Sequence, residues 1–260
     1  MYATERQQVI EELVGSNGRV VVVDLARRFG VTTETVRRDL AQLEESGSVR
    51  RVHGGAVARS RTSTAESSVA ERVERRRDAK LAIARRALEA VPAGFDGSIY
   101  LDAGTTTAAL AQVLVGRSAG GRPLEVVTHS MTIAHVLAGS AGLNLTAIGG
   151  RVRGLTAAAV GSQTVDAISR LRPDIAFVGT NGLAAGFGLS TPDPDEAAVK
   201  RAIVSASRRS IVLADADKLD AELLVSFGRL DDVDVLVTDG APSRELTDAV
   251  AAADVEVWRA

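Results

Sequence analysis

Short segments of glycine, threonine, serine and acidic residues recur directly after apolar stretches of this chain, and their residue types suit the binding of an anion. The segment 102–107 reads Asp-Ala-Gly-Thr-Thr-Thr and leads into a helical pattern. Glycine lets the backbone approach a ligand closely, and hydroxyls together with the free N–H groups of a helix start can surround an anion. Four further segments of this kind lie at 128–130, 149–151, 179–182 and 215–218.

Together, these five segments favour a phosphorylated small molecule as the ligand. Each alone is weak, because Gly-Thr turns commonly connect strands to helices, but five at corresponding positions are hard to explain as turns alone. The candidate ligand residues that they contribute are Asp102, Gly104, Thr105, Thr106, Thr107, Thr128, Ser130, Gly150, Arg151, Asn181, Gly182, Asp215 and Lys218. His129 and His135 lack a third metal ligand at suitable spacing, so core or hydrogen-bonding roles are expected for them.

The elements that must position these segments alternate between short apolar strands and helices. This alternation predicts an α/β domain with a largely parallel sheet and helices on both faces. Ligands bind such sheets at the carboxyl ends of the strands, which is where the five segments are expected. The strands are predicted at 98–101, 124–128, 143–148, 175–178, 211–214, 235–237 and 255–258. The helices are predicted at 106–114, 132–138, 162–171, 196–208 and 244–252.

The first 58 residues carry a different pattern, mainly α with a β wing. Helix, short strand, helix, glycine turn, helix and hairpin follow one another, which is typical of a winged helix-turn-helix. The β-branched run 20–23 predicts the short strand. Either Thr32 or Thr33 is expected to cap the third helix.

The third helix of this pattern is the candidate element for reading DNA. Such a helix enters the major groove, where arginine suits guanine edges, while hydroxyls and the helix N-terminus suit phosphates. Its candidate contact residues are Thr33, Glu34, Thr35, Arg37 and Arg38. The wing adds Arg50, Arg51 and His53 for the phosphate backbone or the minor groove. The alternative for this region is a small three-helix cap with a solvated arginine face.

Composition is that of a soluble globular protein with one large domain or two unequal ones. The chain has 260 residues, of which 45% are hydrophobic and 25% charged. No apolar run reaches the roughly 20 residues that span a bilayer, so we expect no membrane association. Cysteine is absent, which excludes disulfides, thiolate nucleophiles and cysteine zinc sites and fits the cytoplasm. The polar start of the chain shows no secretory signal.

The net charge of −2 conceals an uneven distribution. Residues 50–80 hold nine basic and four acidic side chains, whereas residues 210–260 hold four basic and twelve acidic ones. Such asymmetry favours a polyanionic partner. Of the basic residues only three are lysines, Lys80, Lys200 and Lys218.

Three parts of the chain follow from these patterns. We expect a DNA-binding domain at 1–58, a linker at 59–77 and an effector domain at 78–260. The linker, rich in serine, threonine and charge, is expected to be flexible at 59–68 and helical from Val69. Its run Arg75-Arg76-Arg77 either adds phosphate contacts or forms a solvated helix start.

Two motifs in the first part resemble a known family. Thr35-Val-Arg-Arg-Asp-Leu40 in the third helix and Arg51-Val-His-Gly-Gly-Ala56 in the wing are together similar to the DNA-binding domain of DeoR-type bacterial repressors. The resemblance implies a sequence-specific repressor that binds a double-stranded operator. It also implies an effector domain similar to sugar-phosphate isomerases, in which the loop at 102–106 resembles the phosphate-binding loop.

The same resemblance bears on chemistry. Glu196 and Lys218 match positions that take part in chemistry or binding in those isomerases. Lys200, on the same predicted helix as Glu196, either supports the site or is a surface lysine. The isomerases carry acidic residues where this chain has Thr180-Asn181-Gly182. Proton transfer between sugar carbons needs a positioned base, so the departure argues for binding without turnover, with no cofactor and no metal.

The match looks closest to actinobacterial repressors of fructose operons. That subgroup implies fructose 1-phosphate as effector, with fructose 6-phosphate next, although residue chemistry alone does not separate these from other hexose or pentose phosphates. Repeated operators need paired DNA-binding heads, so a homodimer or homotetramer is expected. Two rival functions remain: an isomerase-like enzyme with a DNA-binding head, and a DNA-binding protein without effector control.

Overall fold

The computed structural model describes residues 2–17, 19–46, 48–52, 54–58, 63–64, 66–115 and 123–260. The chain divides into two compact units, Met1–Thr62 and Ser63–Ala260. Of the expected wing residues, His53 and the side chain of Arg50 lie outside this description. The large unit begins inside the expected linker, because residues 66–76 are held to it by ion pairs such as Arg75 with Asp217.

The small unit combines a helix-turn-helix with a three-stranded antiparallel sheet. Its elements are α1 (Ala3–Asn17), β1 (Arg19–Val21), α2 (Val22–Phe29), α3 (Thr33–Glu45), β2 (Val49–Val52) and β3 (Gly55–Ala58). The strands pair in the order β1-β3-β2. Gly30, with φ of 65°, ends α2 in the left-handed conformation that favours glycine. Thr32 caps α3 by accepting a hydrogen bond from the N–H of Thr35.

One local prediction in this unit is wrong. The strand expected at 20–23 ends at Val21, and α2 begins at Val22. The Val22 side chain is buried in the core of the unit, and its N–H donates to the carbonyl of Gly54 at 2.9 Å. Tertiary packing therefore overrides the strand preference of a β-branched residue.

The large unit contains the remaining elements. Its helices are α4 (Val69–Glu74), α5 (Arg77–Ala87), α6 (Thr105–Val115), α7 (Met131–Leu137), α8 (Ser162–Ser169), α9 (Pro194–Ala206) and α10 (Arg244–Ala252). Its strands are β4 (Ser98–Leu101), β5 (Leu124–Thr128), β6 (Leu143–Ala147), β7 (Arg151–Arg153), β8 (Ala158–Val160), β9 (Ile175–Gly179), β10 (Gly182–Ala184), β11 (Gly188–Thr191), β12 (Ser210–Leu213), β13 (Val225–Gly228), β14 (Val235–Thr238) and β15 (Glu256–Arg259).

A seven-stranded parallel sheet forms the centre of the large unit, in the order β15-β14-β12-β9-β4-β5-β6. This confirms the α/β fold expected from the alternation of elements. The chain runs outward in one direction from β4 to β6 and in the other from β9 to β15. The order therefore reverses between β4 and β9, and a crevice for ligands opens at the carboxyl ends of such a pair.

Two hydrophobic cores cover the two faces of this sheet. Ile99 and Leu101 of β4 point to one core, with α5, α6 and α7, whereas Tyr100 points to the other, with α8, α9 and α10. The alternation follows from the two-residue period of a strand. Both faces are buried, which explains why the central strands are apolar throughout.

Two small antiparallel sheets complete the large unit and were not expected. One is the hairpin β7-β8, and the other has the order β10-β11-β13. Their strands have only three or four residues, too few for an alternating pattern to be recognised. Among the described residues, no helix has the length and apolar character needed to cross a bilayer.

Candidate functional site

The exposed face of α3 presents the residues expected to read DNA. Thr33, Glu34, Arg37 and Arg38 are exposed, and Thr35 is half-buried. The Glu34 carboxylate lies 3.4 Å from the Arg37 guanidinium, whereas Arg38 has no hydrogen bond or ion pair with other described residues. This surface combines hydroxyls at a helix N-terminus, where anions are favoured, with an arginine that is available to a ligand.

A buried ion pair fixes α3 against α1. The Arg6 guanidinium donates to both oxygens of Asp39, at 2.8 and 3.1 Å, and both side chains are almost fully buried. The hydrogen bond to Asp39 raises the pKa of Arg6. Asp39 therefore orients the helix, although it lies between residues expected to contact DNA.

The wing is the β2-β3 hairpin. Arg51 on β2 is exposed; its N–H donates to the Glu44 carboxylate at 2.9 Å, and its guanidinium lies 4.0 Å from the same carboxylate. Arg50 lies on the same strand. The hairpin thus follows α3 with at least one exposed arginine, as a DNA-contacting wing requires.

In the large unit, a pocket opens at the carboxyl ends of β4, β9 and β12. Its space is about 790 Å³, including the part open to solvent. The lining residues are Arg72, Arg75, Lys80, Asp102, Ala103, Gly104, Thr105, Thr106, Thr107, His129, Thr156, Gly179, Thr180, Asn181, Glu196, Lys200, Leu213, Asp215 and Lys218. Five of these are cationic and three are acidic, which makes the pocket attractive to anions.

The floor of the pocket is a buried polar network around Asp102. One carboxylate oxygen of Asp102 accepts from the Lys200 ammonium and from the N–H of Gly179, the latter at 2.8 Å. Lys200 also donates to the carbonyl of Gly179 at 2.9 Å. The charge of Asp102 is thereby neutralised, so it does not repel an anion. Lys200 is buried, so of the two alternatives for this residue the structure fits support of the site and not a surface lysine.

A neutral histidine, His129, lies beside this network. Burial lowers the pKa of His129 to about 4, and burial also raises the pKa of Tyr100 well above its usual value. Tyr100 therefore keeps its proton, and its hydroxyl shares a hydrogen bond of 3.0 Å with Nδ1 of His129. Nε2 of the imidazole lies 3.7 Å from Oδ1 of Asp102. His129 has the hydrogen-bonding role expected for it.

The start of α6 forms one wall. Gly104 has φ of 155°, a conformation that favours glycine, and Thr105 begins the helix. The Thr107 hydroxyl is used internally, donating to the carbonyl of Gly104 at 3.0 Å. The first N–H groups of a helix have no acceptor within it, so this wall offers backbone donors beside the half-buried Thr105 and Thr106.

Basic side chains also line the pocket. Lys80 donates to the carbonyls of Arg72 and Arg75, the latter at 2.6 Å. Burial lowers the pKa of Lys80 to about 8, with the charges of Lys218, Arg72 and Arg75 acting in the same direction and Asp215 opposing them. Lys80 is therefore mostly charged at neutral pH.

Glu196 lies at the start of α9, where Asp193 caps the helix. Its carboxylate accepts from the hydroxyl of Thr156 at 2.5 Å and from Arg153 at 3.1 Å. Arg153 also pairs with Asp193 and Glu66. Glu196 is thus held by neighbours and has little freedom to act as a base.

Nine of the fourteen expected ligand residues line the pocket, and five do not. Those that line it are Asp102, Gly104, Thr105, Thr106, Thr107, Asn181, Glu196, Asp215 and Lys218. The residues that the structure places elsewhere are Thr128, Ser130, Gly150, Arg151 and Gly182.

Each of these five serves the fold instead. The Thr128 hydroxyl donates to the carbonyl of Leu101, and Ser130 caps α7. A Cβ on Gly150 would lie 2.1 Å from Oγ1 of Thr164, and one on Gly182 would lie 2.3 Å from the carbonyl oxygen of Ala221. Arg151 pairs with Asp195 at the surface.

Several lining residues were not expected. Arg72 and Arg75 come from the segment interpreted as a linker, Lys80 from α5 and Thr156 from the β7-β8 turn. The only signals for them were the arginine-rich composition of the segment and the rarity of lysine, since all three lysines line the pocket.

Comparison with known proteins gives the same division of the chain. The family model described as DeoR-like helix-turn-helix domain matches residues 6–62, and the one described as DeoR C terminal sensor domain matches residues 75–240. The glycerol-3-phosphate regulon repressor of Escherichia coli (strain K12) is 32% identical over 242 residues, covering 93% of each chain. A regulator of Bacillus subtilis (strain 168), the uncharacterized HTH-type transcriptional regulator FruR, is 32% identical over 247 residues, covering 95% of this chain and 94% of that one.

Solved structures show more distant likeness. Ribose 5-phosphate isomerase A from Methanocaldococcus jannaschii is 18% identical, with a TM-score of 0.39 and coverage of 55% of this chain and 54% of that one. The full-length sorbitol operon regulator SorC from Klebsiella pneumoniae is 12% identical, with a TM-score of 0.34 and coverage of 84% and 90%.

Proposed function

Because this chain belongs to the DeoR family of transcriptional regulators, we propose that it represses a sugar-catabolic operon and that a sugar phosphate relieves the repression. Family membership confirms the resemblance in the α3 and wing motifs. It also makes the protein a DNA-binding regulator and not an enzyme. Fructose 1-phosphate is our first choice of effector and fructose 6-phosphate the second. A cytoplasmic location follows, because DNA and phosphorylated sugars meet there.

The charge balance of the pocket is the observation that carries the effector proposal. Five cationic side chains face three acidic ones, and Asp102 is already neutralised by Lys200. The excess of positive charge matches a phosphate monoester, which carries a charge of about −2 at neutral pH. The helix start at Gly104–Thr107 adds backbone donors to the same pocket.

The choice of fructose rests on sequence motifs and on a relative. Segments such as Gly150-Arg-Val-Arg153 and Leu189-Ser-Thr-Pro-Asp193 are similar to fructose-operon repressors. The Bacillus subtilis relative carries the name FruR, whereas the Escherichia coli relative is named for the glycerol-3-phosphate regulon. A panel of effectors must therefore include glycerol 3-phosphate.

Two of the three pocket carboxylates, together with the pocket histidine, support binding without turnover. A general base needs a free lone pair within reach of the substrate and a pKa near the working pH. Asp102 is paired with Lys200, Glu196 is held by Thr156 and Arg153, and His129 is buried with a pKa of about 4. Incubation with each sugar phosphate, followed by NMR, should show no new sugar signals; turnover would revive the isomerase alternative.

For DNA, we place α3 in the major groove with Arg38 at a base edge and the wing on the backbone. Two half-sites about 34 Å apart need two heads, so the active species is a homodimer or homotetramer. The test is polarisation with an operator duplex selected in vitro by the full chain. Arg38→Ala should abolish binding, whereas Arg85→Ala, on the exposed surface of α5, should not.

The effector arm of the test uses the same duplex and a panel of four compounds. Fructose 1-phosphate, fructose 6-phosphate, ribose 5-phosphate and glycerol 3-phosphate are titrated against the complex, and thermal shifts are recorded without DNA. At one hundred times its Kd, a true effector stabilises the fold by about 2.7 kcal/mol. Operator affinity that is insensitive to all four compounds would favour a DNA-binding protein without effector control.

A further inference from the structure

Residues 66–76, which we name the strap, belong to the large unit and immediately precede α5. In sequence, the strap lies close to the start of that unit, which is Ser63. Its short helix α4 begins with a capping box. The Ser68 hydroxyl accepts from the N–H of Glu71, and the Glu71 carboxylate accepts from the N–H of Ser68 at 2.8 Å. The strap is therefore an ordered element with its own local structure.

Ion pairs fasten the strap at both ends. At its start, Glu66 pairs with Arg153 at 2.7 Å, and Arg153 also holds the pocket residue Glu196. At its end, Arg75 donates to Asp217 at 2.6 and 3.0 Å. These contacts connect the strap to side chains in or beside the pocket.

A strained residue marks the end of the strap. Arg76 adopts φ of 53°, a left-handed conformation that costs a non-glycine residue about 1 kcal/mol or more. Its guanidinium pairs with Asp217 at 3.2 Å and with Asp239 at 2.5 Å. Arg75 and Arg76 therefore share Asp217, and the attachment of one affects the other.

The strap also contributes to the pocket itself. Arg72 and Arg75 line it, and Nε of Arg72 is buried without a hydrogen-bond partner among the described residues. Oδ1 of Asp102, fully buried in the same pocket, likewise lacks one. A buried polar atom without a partner costs about 1–3 kcal/mol, which a suitable ligand recovers.

These two atoms have opposite requirements. The guanidinium N–H of Arg72 needs an acceptor such as a phosphate oxygen, whereas the carboxylate oxygen of Asp102 needs a donor such as a sugar hydroxyl. A phosphorylated polyol offers both groups in one molecule. Inorganic phosphate can satisfy Arg72 but lacks the hydroxyl-bearing carbon skeleton that would reach Asp102.

We propose that the strap is a wall of the effector site. The anionic group of the ligand binds Arg72 and Arg75 and replaces Asp217 as the ion-pair partner of Arg75. This inference rests on the proposed function, because its ligand is the same sugar phosphate. Ligand in the effector site then changes the ion pairs of the strap. A ligand that makes different contacts in two conformations shifts the equilibrium between them. The strap thereby connects the effector site to the segment that leads to the DNA-binding unit.

The test measures ligand affinity by calorimetry on the full chain, with the four-compound panel as probes. Arg72→Gln and Arg75→Gln should each weaken binding of the best compound by about tenfold or more, as loss of a charge-assisted hydrogen bond does. Asp217→Asn releases Arg75 and should tighten binding several-fold. Arg85→Gln, an exposed arginine of α5 outside the pocket, is the matched control and should change nothing.

Hydrogen exchange supplies a readout that a general loss of stability would not reproduce. At ligand concentrations that saturate each protein, the best compound should slow exchange of the amides of α4 in the wild type, and the Arg72→Gln/Arg75→Gln double variant should lose this protection while α9 remains protected. If the wild type binds a compound and both single variants bind it with the same affinity, the role of the strap is overturned and the proposed effector function is not. Absence of wild-type binding to every compound would overturn the proposed effector function and the strap with it.

Discussion

At the scale of single residues, Asp39 shows how one position in a DNA-binding motif can serve structure. It lies in the run Arg37-Arg38-Asp39 of α3, with exposed arginines before it, yet its carboxylate is buried against Arg6 of α1. The motif therefore mixes residues that face outward with one that holds the helix in place. The spacing of residues along α3 distinguishes the outward-facing residues from Asp39 only when the buried partner of Asp39, Arg6, is known.

Replacing Asp39 should destabilise the small unit. In Asp39→Asn, the Arg6 guanidinium keeps its charge and loses its carboxylate partner, which costs about 1–3 kcal/mol for a mostly buried group. Hydrogen exchange of the α1 and α3 amides in the full chain measures the loss. The control is Glu34→Gln, which changes an exposed carboxylate of the same helix whose partner among the described residues is Arg37, at 3.4 Å. Its free energy of unfolding should stay within about 0.5 kcal/mol of the wild-type value. Equal protection in both variants would contradict the anchoring role.

The charge of Lys80 should make effector affinity depend on pH. The groups that face it are Asp215, Lys218, Arg72 and Arg75, and burial sets its pKa to about 8. A phosphate monoester is already a dianion above about pH 7. Deprotonation of Lys80 removes an attractive charge, so affinity should be nearly level around pH 7 and fall as the pH rises through 8.

Calorimetry of fructose 1-phosphate between pH 6.5 and 9.5 tests this dependence. Near pH 8, binding should also take up protons, because the anion favours charged Lys80; comparing buffers of different ionisation enthalpy reveals this uptake. Lys80→Arg keeps its charge throughout the range and should remove the fall above pH 8. The same fall in wild type and variant would assign the dependence to another group.

At the scale of elements, the strands of the seven-stranded sheet and the helices between them were predictable, whereas the two small sheets and the part of each connection that faces the pocket were not. Periodicity along the chain marks a buried strand and the helix after it. Local sequence patterns do not predict the order of the strands in the sheet. Because β4, β9 and β12 are neighbours, the segments that follow them meet, whereas the segment after β5 contributes His129 to the pocket but not Thr128 or Ser130, and the segment after β6 lies further along the sheet. Gly150 belongs to this last segment.

The strap was unpredictable for a related reason. Its contacts with Asp217 and Asp239 join residues more than 140 positions apart in the chain. Composition identified an arginine-rich segment that could touch phosphate or solvent, and only the fold brings the acidic partners to it. Asp102, Gly104 and Thr105, by contrast, were predictable, because a loop at a strand end and a helix start are adjacent in sequence.

Gly150 illustrates an element-scale constraint that a ligand-binding interpretation misses. It has φ of 152°, and a Cβ would lie 2.1 Å from Oγ1 of Thr164 and 3.2 Å from the carbonyl of Val160. Gly150→Ala should therefore lower the free energy of unfolding of the large unit by about 1–3 kcal/mol. Urea unfolding monitored by the fluorescence of Trp258, the single tryptophan, measures this.

The neighbouring Gly149 provides a matched control. A Cβ there meets nothing within 4 Å, and its φ is not in the left-handed region. Gly149→Ala should therefore leave the unfolding midpoint nearly unchanged. Both variants should bind fructose 1-phosphate with wild-type affinity where they are folded, because neither residue lines the pocket. A selective loss of affinity in Gly150→Ala would return this glycine to the effector site.

At the scale of the whole molecule, the uneven charge distribution acquires a second meaning. The basic segment at 50–80 and the acidic segment at 210–260 were interpreted as signs of a polyanionic partner. Part of that charge is used internally, because Asp217 and Asp239 pair with Arg75 and Arg76 of the strap. The charges that sum to nearly zero thus serve two purposes. Some form ion pairs whose acidic partner an anionic ligand can replace, and others are arginines that face outward on α3.

If effector and operator binding are coupled through the full chain, the coupling must be the same in both directions. Suppose fructose 1-phosphate weakens operator binding by some factor; saturating operator must then weaken fructose 1-phosphate binding by that factor, since both report one coupling free energy. Couplings of about 1–3 kcal/mol are usual, which corresponds to about 5-fold to 150-fold. Polarisation measures the first factor and calorimetry the second, at one protein concentration and one salt concentration, because operator affinity depends strongly on salt.

Variants of the strap locate this coupling within the molecule. Arg75→Gln should reduce both factors equally, because the ligand then has no arginine to take from Asp217, whereas Arg85→Gln should leave both at the wild-type value. A variant that weakens effector binding but keeps both factors intact would place the coupling outside the strap. An operator affinity that fructose 1-phosphate leaves unchanged at saturation would show that this compound binds both conformations equally and is not the effector.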